Sequence, residues 1–489
     1  MKDARGLLEH NDIYGNEHAG VGVETGAAPT IRLNRIHDGL QAGAFFFDGG
    51  MGTFEENDVF GNDEAGVQII EGSDPTIARN TLRRQALPKG EDHERSKDVA
   101  PLWVHSGGRG NVQDNEICGS LWHGVSIGSQ AEPLLQGNRI HSNRKSGVFM
   151  MDAAAPTLLE NEIQKNWIGV ECARRPLPKS RLGEVRRGSA RLGEVYPRRR
   201  APFPHRCIEQ ADPTLRGNKI HHSRMGGIWV YKGARGTYED NEIYQNAKAG
   251  VRVWDLGDPT MQRNKIWGGK TTGVLVYECG KGHWVRGGSS RRGWRAAAGA
   301  LRFRLRACSF GEVLTGEGGR FSGQVDNEIC EHREWNVEVK RFATPLFERN
   351  RLHHGRMGGV YCHGGGGIGA FTSDFTNRDS AITRFTFTDN DVYENAGVGI
   401  NIGNDGVPVV TNNRFFGEMN AGIYVAGQKA QGTITGNEIY GVKDGIVLRE
   451  GACPHLEKNH IHDCTRRGVM VCARGQGMLL DNVIERSAR

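Results

Sequence analysis

A short motif, Asn followed by any residue and then an apolar residue, recurs along the 489-residue chain at a nearly constant spacing. Ten of its sixteen intervals are 23 residues, two are 22 or 24, and the other four are 35, 57, 63 and 40. The motif begins at Asn11, Asn34, Asn57, Asn80, Asn115, Asn138, Asn161, Asn218, Asn241, Asn264, Asn327, Asn350, Asn390, Asn413, Asn437, Asn459 and Asn482. A fixed period of this length is typical of solenoids.

Each repeat reads approximately N-x-I-[HY]-x-N-x-x-x-G-V-x-V, often followed by Pro-Thr. Apolar residues alternate with polar ones, and Gly, Asn and Pro separate the short runs, as expected for three strands per repeat. A leucine-rich repeat needs Leu at fixed sites before its Asn, but this chain has PTLLEN and GTYEDN there. The sequence therefore predicts an all-β fold, one right-handed parallel β-helix over 1–489, with about 17 coils of 23 residues and inserted loops.

The repeated Asn residues are predicted to be structural. Asn tolerates a left-handed backbone at a turn, and stacked Asn side chains can hydrogen-bond along an axis. The copies predicted to form such an Asn ladder at the centre of the chain are Asn115, Asn138, Asn161, Asn218, Asn241 and Asn264.

The residue after each Asn alternates between acid and base along most of the chain. Because in-register stacking would place equal charges together, this alternation favours one particular register. It continues across the long intervals, for example from Glu162 to Lys219, so each long interval is predicted to be one coil with an inserted loop. The smaller predicted loops are 83–103 and 362–385.

Two larger predicted insertions, 173–207 and 281–320, carry net charges of +9 and +7, against +6 for the whole chain. Their Arg-rich, low-complexity composition predicts disordered loops, or coding sequence wrongly retained from an intron. The alternative is a pair of flexible basic arms that bind nucleic acid or acidic partners.

The sequence contains no recognisable catalytic constellation. Most carboxylates fall at positions repeated along the whole chain, whereas an active site would be a local departure. The one local departure with a His is Cys362-His363, assigned to an inserted loop, and Cys118 and Cys330 resemble ordinary substitutions. The expectation is therefore a non-enzyme with no catalytic residues, no metal ligands and no cofactor, although two facing carboxylates would escape detection in a sequence.

The position three after each Asn often holds an aromatic or imidazole ring that strand alternation directs outward. A row of such rings is a candidate binding ridge for an extended peptide or sugar chain, and the alternative is that the rings stack on each other and shield the strand. The ridge residues are His141, His221, Tyr244, Trp267, His353, Tyr393, Tyr440 and His462.

Repeats such as GNRIHSNRKSGVFMMDAAAPTLLENEIQKNWIGV resemble the β-helix of the F-box only protein 11 family, which belongs to a wider class of carbohydrate-binding proteins and sugar hydrolases. The resemblance implies a non-enzymatic scaffold that captures protein substrates, with ubiquitin ligase subunits as partners if an F-box is supplied elsewhere. The alternative is a carbohydrate-active β-helix: a polysaccharide lyase, hydrolase or epimerase, or a glycan binder. The absence of an evident export signal or apolar span favours a cytoplasmic or nuclear location.

Overall fold

The computed structural model describes residues 4–85, 100–173, 210–281, 283–284, 327–364 and 382–487. Within these ranges the regular elements are all β-strands, most of them three residues long. The same ranges contain no helix long and apolar enough to cross a membrane. The chain is thus all-β, as its repeat predicts.

The strands form three sheets. Sheet A contains Leu7–Glu9, Thr30–Arg32, Thr53–Glu55, Thr76–Ala78, Asn111–Gln113, Leu134–Gln136, Thr157–Leu159, Thr214–Arg216, Thr237–Glu239, Thr260–Gln262, His283–Trp284, Leu346–Glu348, Thr386–Thr388, Val409–Thr411, Thr433–Thr435, His455–Glu457 and Met478–Leu480. Sheet B contains Asp12–Tyr14, Arg35–His37, Asp58–Phe60, Thr81–Arg83, Glu116–Cys118, Arg139–His141, Glu162–Gln164, Lys219–His221, Glu242–Tyr244, Lys265–Trp267, Glu328–Cys330, Arg351–His353, Asp391–Tyr393, Arg414–Phe416, Glu438–Tyr440, His460–His462 and Val483–Glu485. Sheet C contains Val21–Val23, Ala44–Phe46, Val67–Ile69, Leu102–Val104, Val125–Ile127, Ser146–Met150, Ile168–Cys172, Ile228–Val230, Val251–Val253, Val274–Val276, Trp335–Lys340, Gly358–His363, Val398–Ile402, Ala421–Ala426, Asp444–Arg449 and Arg467–Val471.

Every strand pairs in parallel with the corresponding strand of the next coil. The alternation of acid and base follows this register, as when Arg139 pairs with Glu162 in sheet B. Its guanidinium lies between two carboxylates, 3.6 Å from Glu162 and 3.8 Å from Glu116. The chain is therefore a parallel β-helix of about sixteen turns, and the predicted fold class is confirmed.

The long intervals do not interrupt the stacking. Glu162 pairs with Lys219 across the 57-residue interval, and Lys265 pairs with Glu328 across the 63-residue interval, where the ammonium and carboxylate lie 3.2 Å apart. The two coils that flank each of these intervals are therefore stacked directly on each other.

The apolar core runs along the axis of the β-helix. Between the first and last coils, the residue two after the Asn of the motif, such as Ile140 or Ile243, is buried in sheet B. In the interior coils the central residues of sheet A strands, such as Leu158, and the two Val-type residues of sheet C strands, such as Val251 and Val253, complete the core. Each coil depends on its neighbours because a single lap of chain cannot bury these side chains alone.

The Asn residues of the motif form a continuous buried ladder. In Asn161, both the backbone N–H and Nδ2 donate to Oδ1 of Asn218, at 3.0 and 2.9 Å, while Asn138 donates to Asn161 in the same way. Nδ2 of each ladder residue also donates to a backbone oxygen, as from Asn218 to Leu158 at 2.9 Å. The ladder thus satisfies buried polar groups at the corner between sheets A and B.

The turn geometry differs from the prediction in one respect. The residue before the Asn, and not the Asn itself, has the left-handed backbone, as at Glu56 (φ 56°) and Asp240 (φ 54°). The physical reason is that the preceding residue bends the chain, and this bend turns the Asn side chain inward to its partner. The positive φ therefore falls on residues whose side chains point outward.

Several predicted loop boundaries are too wide. Strands of the β-helix include Leu102 and Trp103 from the predicted loop 83–103, Cys362 and His363 from 362–385, and His283–Trp284 from 281–320. Each of these strands is needed because the coils on both sides require a hydrogen-bonded neighbour. Residues 174–209 and 285–326, which hold nearly all of the two Arg-rich insertions, lie outside the described residues.

Candidate functional site

The predicted ridge lies on the outward face of sheet B, where its rings stack on those of neighbouring coils. Ring centroids are 4.5 Å apart between His221 and Tyr244 and again between Tyr244 and Trp267, with the planes within 13° of parallel. Among the described residues the longest such stack consists of the rings of His353, Tyr393, Phe416, Tyr440 and His462. His141 instead lies between Cys118 and Gln164, which have no rings. A ligand at the stacked rings meets mainly their edges, because their faces cover each other. This geometry favours the structural alternative, and ligand binding by the ridge stays a prediction.

The outward face of sheet C carries a second row of side chains, which the motif does not specify. The residue between the two inward Val-type positions points outward in each coil. We call the row over eight successive coils the sheet C strip; its members are Glu171, Trp229, Arg252, Leu275, Glu338, Tyr361, Asn401 and Tyr424. Seven steps of about 4.8 Å give the strip a length of about 34 Å.

A parallel row flanks the strip, two residues further along each strand. In this flanking row, Tyr231 stacks on Trp254 with centroids 4.2 Å apart, and Trp254 stacks on Tyr277 at 5.9 Å. Trp229 of the strip meets Trp254 edge to face at 5.5 Å. Four aromatic rings from three consecutive coils therefore form one outward cluster.

Arg252 lies at the centre of this aromatic cluster. Its guanidinium carbon is 5.0 Å from the Trp229 ring centroid, 4.6 Å from that of Trp254 and 4.9 Å from that of Tyr277. One guanidinium nitrogen donates to the hydroxyl of Tyr277, and Nε is buried without a hydrogen bond among the described residues. Within the same residues Arg252 forms no ion pair, so carboxylates do not compensate its positive charge.

Glu171 begins the strip and is held by two hydroxyl groups. The hydroxyl of Tyr231 donates to Oε1 of Glu171 at 2.7 Å, and Ser146 donates to Oε2. Burial and the neighbouring carboxylate raise the pKa of Tyr231 far above its usual value. The tyrosine therefore stays protonated at neutral pH and acts as a hydrogen-bond donor.

A polar cluster lies at the middle of the strip. It consists of Glu338 and Tyr361 of the strip and of Lys340 and His363, which lie two residues further along the same strands. Oε1 of Glu338 accepts from Nζ of Lys340 at 2.7 Å and lies 3.1 Å from Nε2 of His363. The His363 ring stacks on Tyr361 with centroids 4.2 Å apart. His363 thus belongs to a strand of sheet C and not to the predicted inserted loop.

Glu338 gives this cluster a testable pH dependence. Burial alone would raise the pKa of Glu338, but the hydrogen bond from His363 and the charge of Lys340 outweigh it and lower the pKa. A lowered pKa contributes stability at neutral pH that is lost as the pH falls through that pKa. We expect Glu338→Gln to reduce the free energy of unfolding by about 1–2 kcal/mol at pH 7, and by less at about pH 3, since protonation of the carboxyl removes the charge as the pH falls toward the lowered pKa.

Urea unfolding of the two proteins at both pH values measures this effect. Glu17→Gln is the matched control, because Glu17 is exposed and forms no ion pair within the described residues. Equal destabilisation by Glu338→Gln at both pH values would show that lost packing, and not the carboxylate charge, is responsible.

The sheet C strip did not emerge from the sequence because the coil consensus leaves its positions unspecified. The signal is present in the runs IWVY, VRVW and VLVY, where the residue between the two inward positions and the residue after them vary from coil to coil. Aligning the coils on Gly-Val and reading only these two columns finds Trp229, Arg252 and Trp254. The predicted ridge and the strip lie on different faces, since one belongs to sheet B and the other to sheet C.

Comparison with solved structures finds β-helical proteins of low sequence identity. A double mutant of the periplasmic alginate epimerase AlgG is 9% identical, with a TM-score of 0.47 and coverage of 79% of this chain and 78% of that one. The A-module of the Azotobacter vinelandii mannuronan C-5 epimerase AlgE6 is 11% identical, with a TM-score of 0.43 and coverage of 85% and 91%. At these values the likeness concerns the fold alone.

The leading functional prediction, a protein-recognition scaffold of an F-box ubiquitin ligase adapter, is wrong. The structural neighbours that overturn it are alginate and mannuronan C-5 epimerases, in agreement with the carbohydrate alternative. That this chain is not an enzyme stays a prediction.

The search of curated proteins found no match. The family model described as "Right handed beta helix region" matches residues 1–84, 102–175, 206–286, 310–431 and 375–488, which is most of the chain. This match supports the predicted β-helix family, but it does not show the predicted resemblance to F-box only protein 11. The chain therefore belongs to the right handed beta helix region family.

Proposed function

We propose that this protein binds an extended acidic polysaccharide along the sheet C strip. The observation that carries the proposal is Arg252, a cation among three aromatic rings that has no carboxylate partner within the described residues. A uronate or sulfated sugar supplies the missing anion, and the rings on either side offer contact area for a sugar ring.

The charge of Arg252 explains why the ligand is an anion. Removing a cation from water is unfavourable unless a partner compensates it, and Arg252 is only partly exposed. Its planar guanidinium can hold a carboxylate or sulfate through two hydrogen bonds. Most Arg residues on sheet B already pair with acids, as Arg414 does with Asp391 at 2.7 Å.

The length and composition of the strip explain why the ligand is a polymer. Aromatic rings and charged groups continue from Glu171 to Tyr424 over about 34 Å, which is longer than a single sugar. Because the coils are parallel and evenly spaced, the strip presents its groups at regular intervals. A linear chain of sugars has the same regularity.

The positions of the strip's carboxylates disfavour hydrolysis by a pair of acids. Glu171 and Glu338 are separated by four coil steps, or about 19 Å. Paired carboxylates in glycosidases lie about 5–9.5 Å apart. Binding of the polysaccharide is therefore the function that these side chains support best.

Removal of the Arg252 charge tests the proposal. We expect Arg252→Gln to weaken binding of oligouronates by about 10- to 100-fold, because a hydrogen bond to a charged group contributes about 1.5–3 kcal/mol. Isothermal titration calorimetry with oligomers of mannuronate, guluronate and galacturonate measures the affinity at low and raised salt. The affinity of the wild type falls as salt increases, since the interaction is electrostatic.

Arg414→Gln is the matched control, because it removes an Arg charge from sheet B and leaves sheet C unchanged. We expect this variant to bind like the wild type. The proposal would be contradicted if Arg252→Gln bound oligouronates as tightly as the wild type. It would also be contradicted if the wild type bound no acidic oligosaccharide.

A further inference from the structure

On the outer face of sheet B, two successive coils bring together a carboxylate, a thiol and an imidazole. Glu328 and Cys330 point outward from the same strand, and His353 lies directly opposite Cys330 in the next coil. The carboxylate oxygen, the sulfur and the imidazole nitrogen all lie within 4.8 Å of one another. Cys330 is only 2% exposed, and its thiol makes no hydrogen bond among the described residues.

Hydrogen bonds fix the orientation of the His353 imidazole beside Glu328. Nε2 of His353 lies 3.0 Å from Glu328, and its Nδ1 lies 2.7 Å from Nδ1 of His354, whose Nε2 is 3.3 Å from Glu394. The two hydrogen bonds need two protons, and two neutral imidazole rings supply them when Nε2 of His353 donates to Glu328 and Nδ1 of His354 donates to Nδ1 of His353. These bonds hold the His353 ring in a fixed orientation opposite Cys330.

A second coil repeats the same set of groups. Glu116 and Cys118 lie on one strand, and His141 lies opposite Cys118 with Nε2 3.0 Å from the Glu116 carboxylate. The three ligand atoms again lie within 4.8 Å of one another. Both copies follow one rule, with an acid and a thiol at positions one and three after Asn and a His in the next coil.

We propose that Glu328, Cys330 and His353 bind Zn²⁺, and that Glu116, Cys118 and His141 form a second site of the same kind. Thiolate, imidazole and carboxylate are the ligand types that zinc takes in proteins, and three protein ligands leave a fourth position open for water. This inference concerns sheet B and is independent of polysaccharide binding on sheet C.

The surrounding groups are compatible with the metal. Lys265 bonds to Oε2 of Glu328 at 3.2 Å, which leaves Oε1 for zinc. Nδ1 of His353 keeps its contact with His354, and this contact orients the ring for coordination through Nε2. Because burial raises the pKa of Cys330 to about 12, the free thiol is protonated at neutral pH. Zinc binding releases that proton to solvent, and the affinity therefore rises with pH.

Cobalt(II) is the probe, because a cobalt–thiolate bond produces a charge-transfer absorption that oxygen and nitrogen ligands do not. We expect the full-length reduced protein to show this absorption, to saturate it near two equivalents, and to lose it when Zn²⁺ displaces cobalt. The group formed by Glu438, His460 and His462 contains no thiol, so cobalt bound there does not contribute.

Substitutions assign the absorption to the two sites. We expect Cys330→Ser and Cys118→Ser each to lose about half of the absorption, and the double variant to lose all of it. Gln164 supplies a natural control, because it occupies the equivalent position beside Glu162 and opposite His221 but has no thiol. Gln164→Cys is expected to add a third equivalent.

Three results would overturn the inference. They are no charge-transfer absorption in the wild type, its persistence in the double Ser variant, or no gain in Gln164→Cys. Circular dichroism of each variant verifies that the β-helix is intact, so that a loss of absorption reports lost ligands.

Discussion

Replacing Asn218 by Ala is expected to lower the free energy of unfolding by about 3–6 kcal/mol, since each buried polar group left without a partner costs about 1–3 kcal/mol. The substitution removes the acceptor for two donors of Asn161, its backbone N–H and Nδ2. It also removes the donor for the backbone oxygen of Leu158. All of these groups are inside the β-helix, where water does not replace the lost partners.

Urea unfolding monitored by tryptophan fluorescence measures the loss. Asn11→Ala is the matched control, because Asn11 is exposed and, among the described residues, no group donates a hydrogen bond to its side-chain oxygen. We expect this control to cost less than about 1 kcal/mol. Similar losses from Asn218→Ala and Asn11→Ala would mean that the ladder does not stabilise the interior coils.

Phe347→Ala is expected to lower the free energy of unfolding by about 3–5 kcal/mol. Phe347 is fully buried in the centre of a sheet A strand, and its ring packs against Phe385 and Phe387 at centroid distances of 6.2 and 6.3 Å. Removing the ring leaves a cavity, because the paired strands on both sides limit how far the coil can collapse. The effect is expected to be largest in the neighbouring coils, since solenoid coils interact mainly with their neighbours.

Hydrogen exchange across the chain locates the destabilised coils, and urea unfolding gives the total effect. Phe342→Ala removes the same side chain five residues earlier, at a turn where Phe342 is 51% exposed. We expect that control to change stability by less than about 0.5 kcal/mol. Comparable losses from the two substitutions would contradict the inward orientation of Phe347.

The coil architecture was predictable because the Asn spacing and the acid–base alternation both encode the register. The ladder from Asn161 to Asn218 crosses 57 residues, and the alternation of Glu162 with Lys219 is enough to identify these residues as neighbours in successive coils. Strand edges were less predictable, as at His363, because a short strand beside an insertion has no sequence boundary of its own.

The two outward faces were predictable to different degrees. On sheet B a repeated position holds the rings of His221 and Tyr244, so the row was evident, but the mutual stacking of their faces depends on side-chain geometry. On sheet C the residues at Trp229 and Arg252 differ from coil to coil, and only the register brings them together. Function in a repeat protein concentrates at such variable positions, because the repeated positions maintain the fold.

These differences suggest separate roles for the faces. The charges and ring faces of sheet B are largely satisfied by neighbouring coils, as Arg414 and Asp391 illustrate. The Arg252 cluster of sheet C combines aromatic area with a cation that lacks a carboxylate partner among the described residues. An acidic ligand therefore gains more from sheet C than from sheet B.

A crystal structure of the full-length protein with a bound oligouronate tests the proposed function most directly. We predict sugar density along the sheet C strip, with a sugar carboxylate within hydrogen-bond distance of the Arg252 guanidinium and a sugar ring beside Trp229. Density along the stacked rings of sheet B, or a ligand on sheet C whose carboxylates all point away from Arg252, would contradict the account.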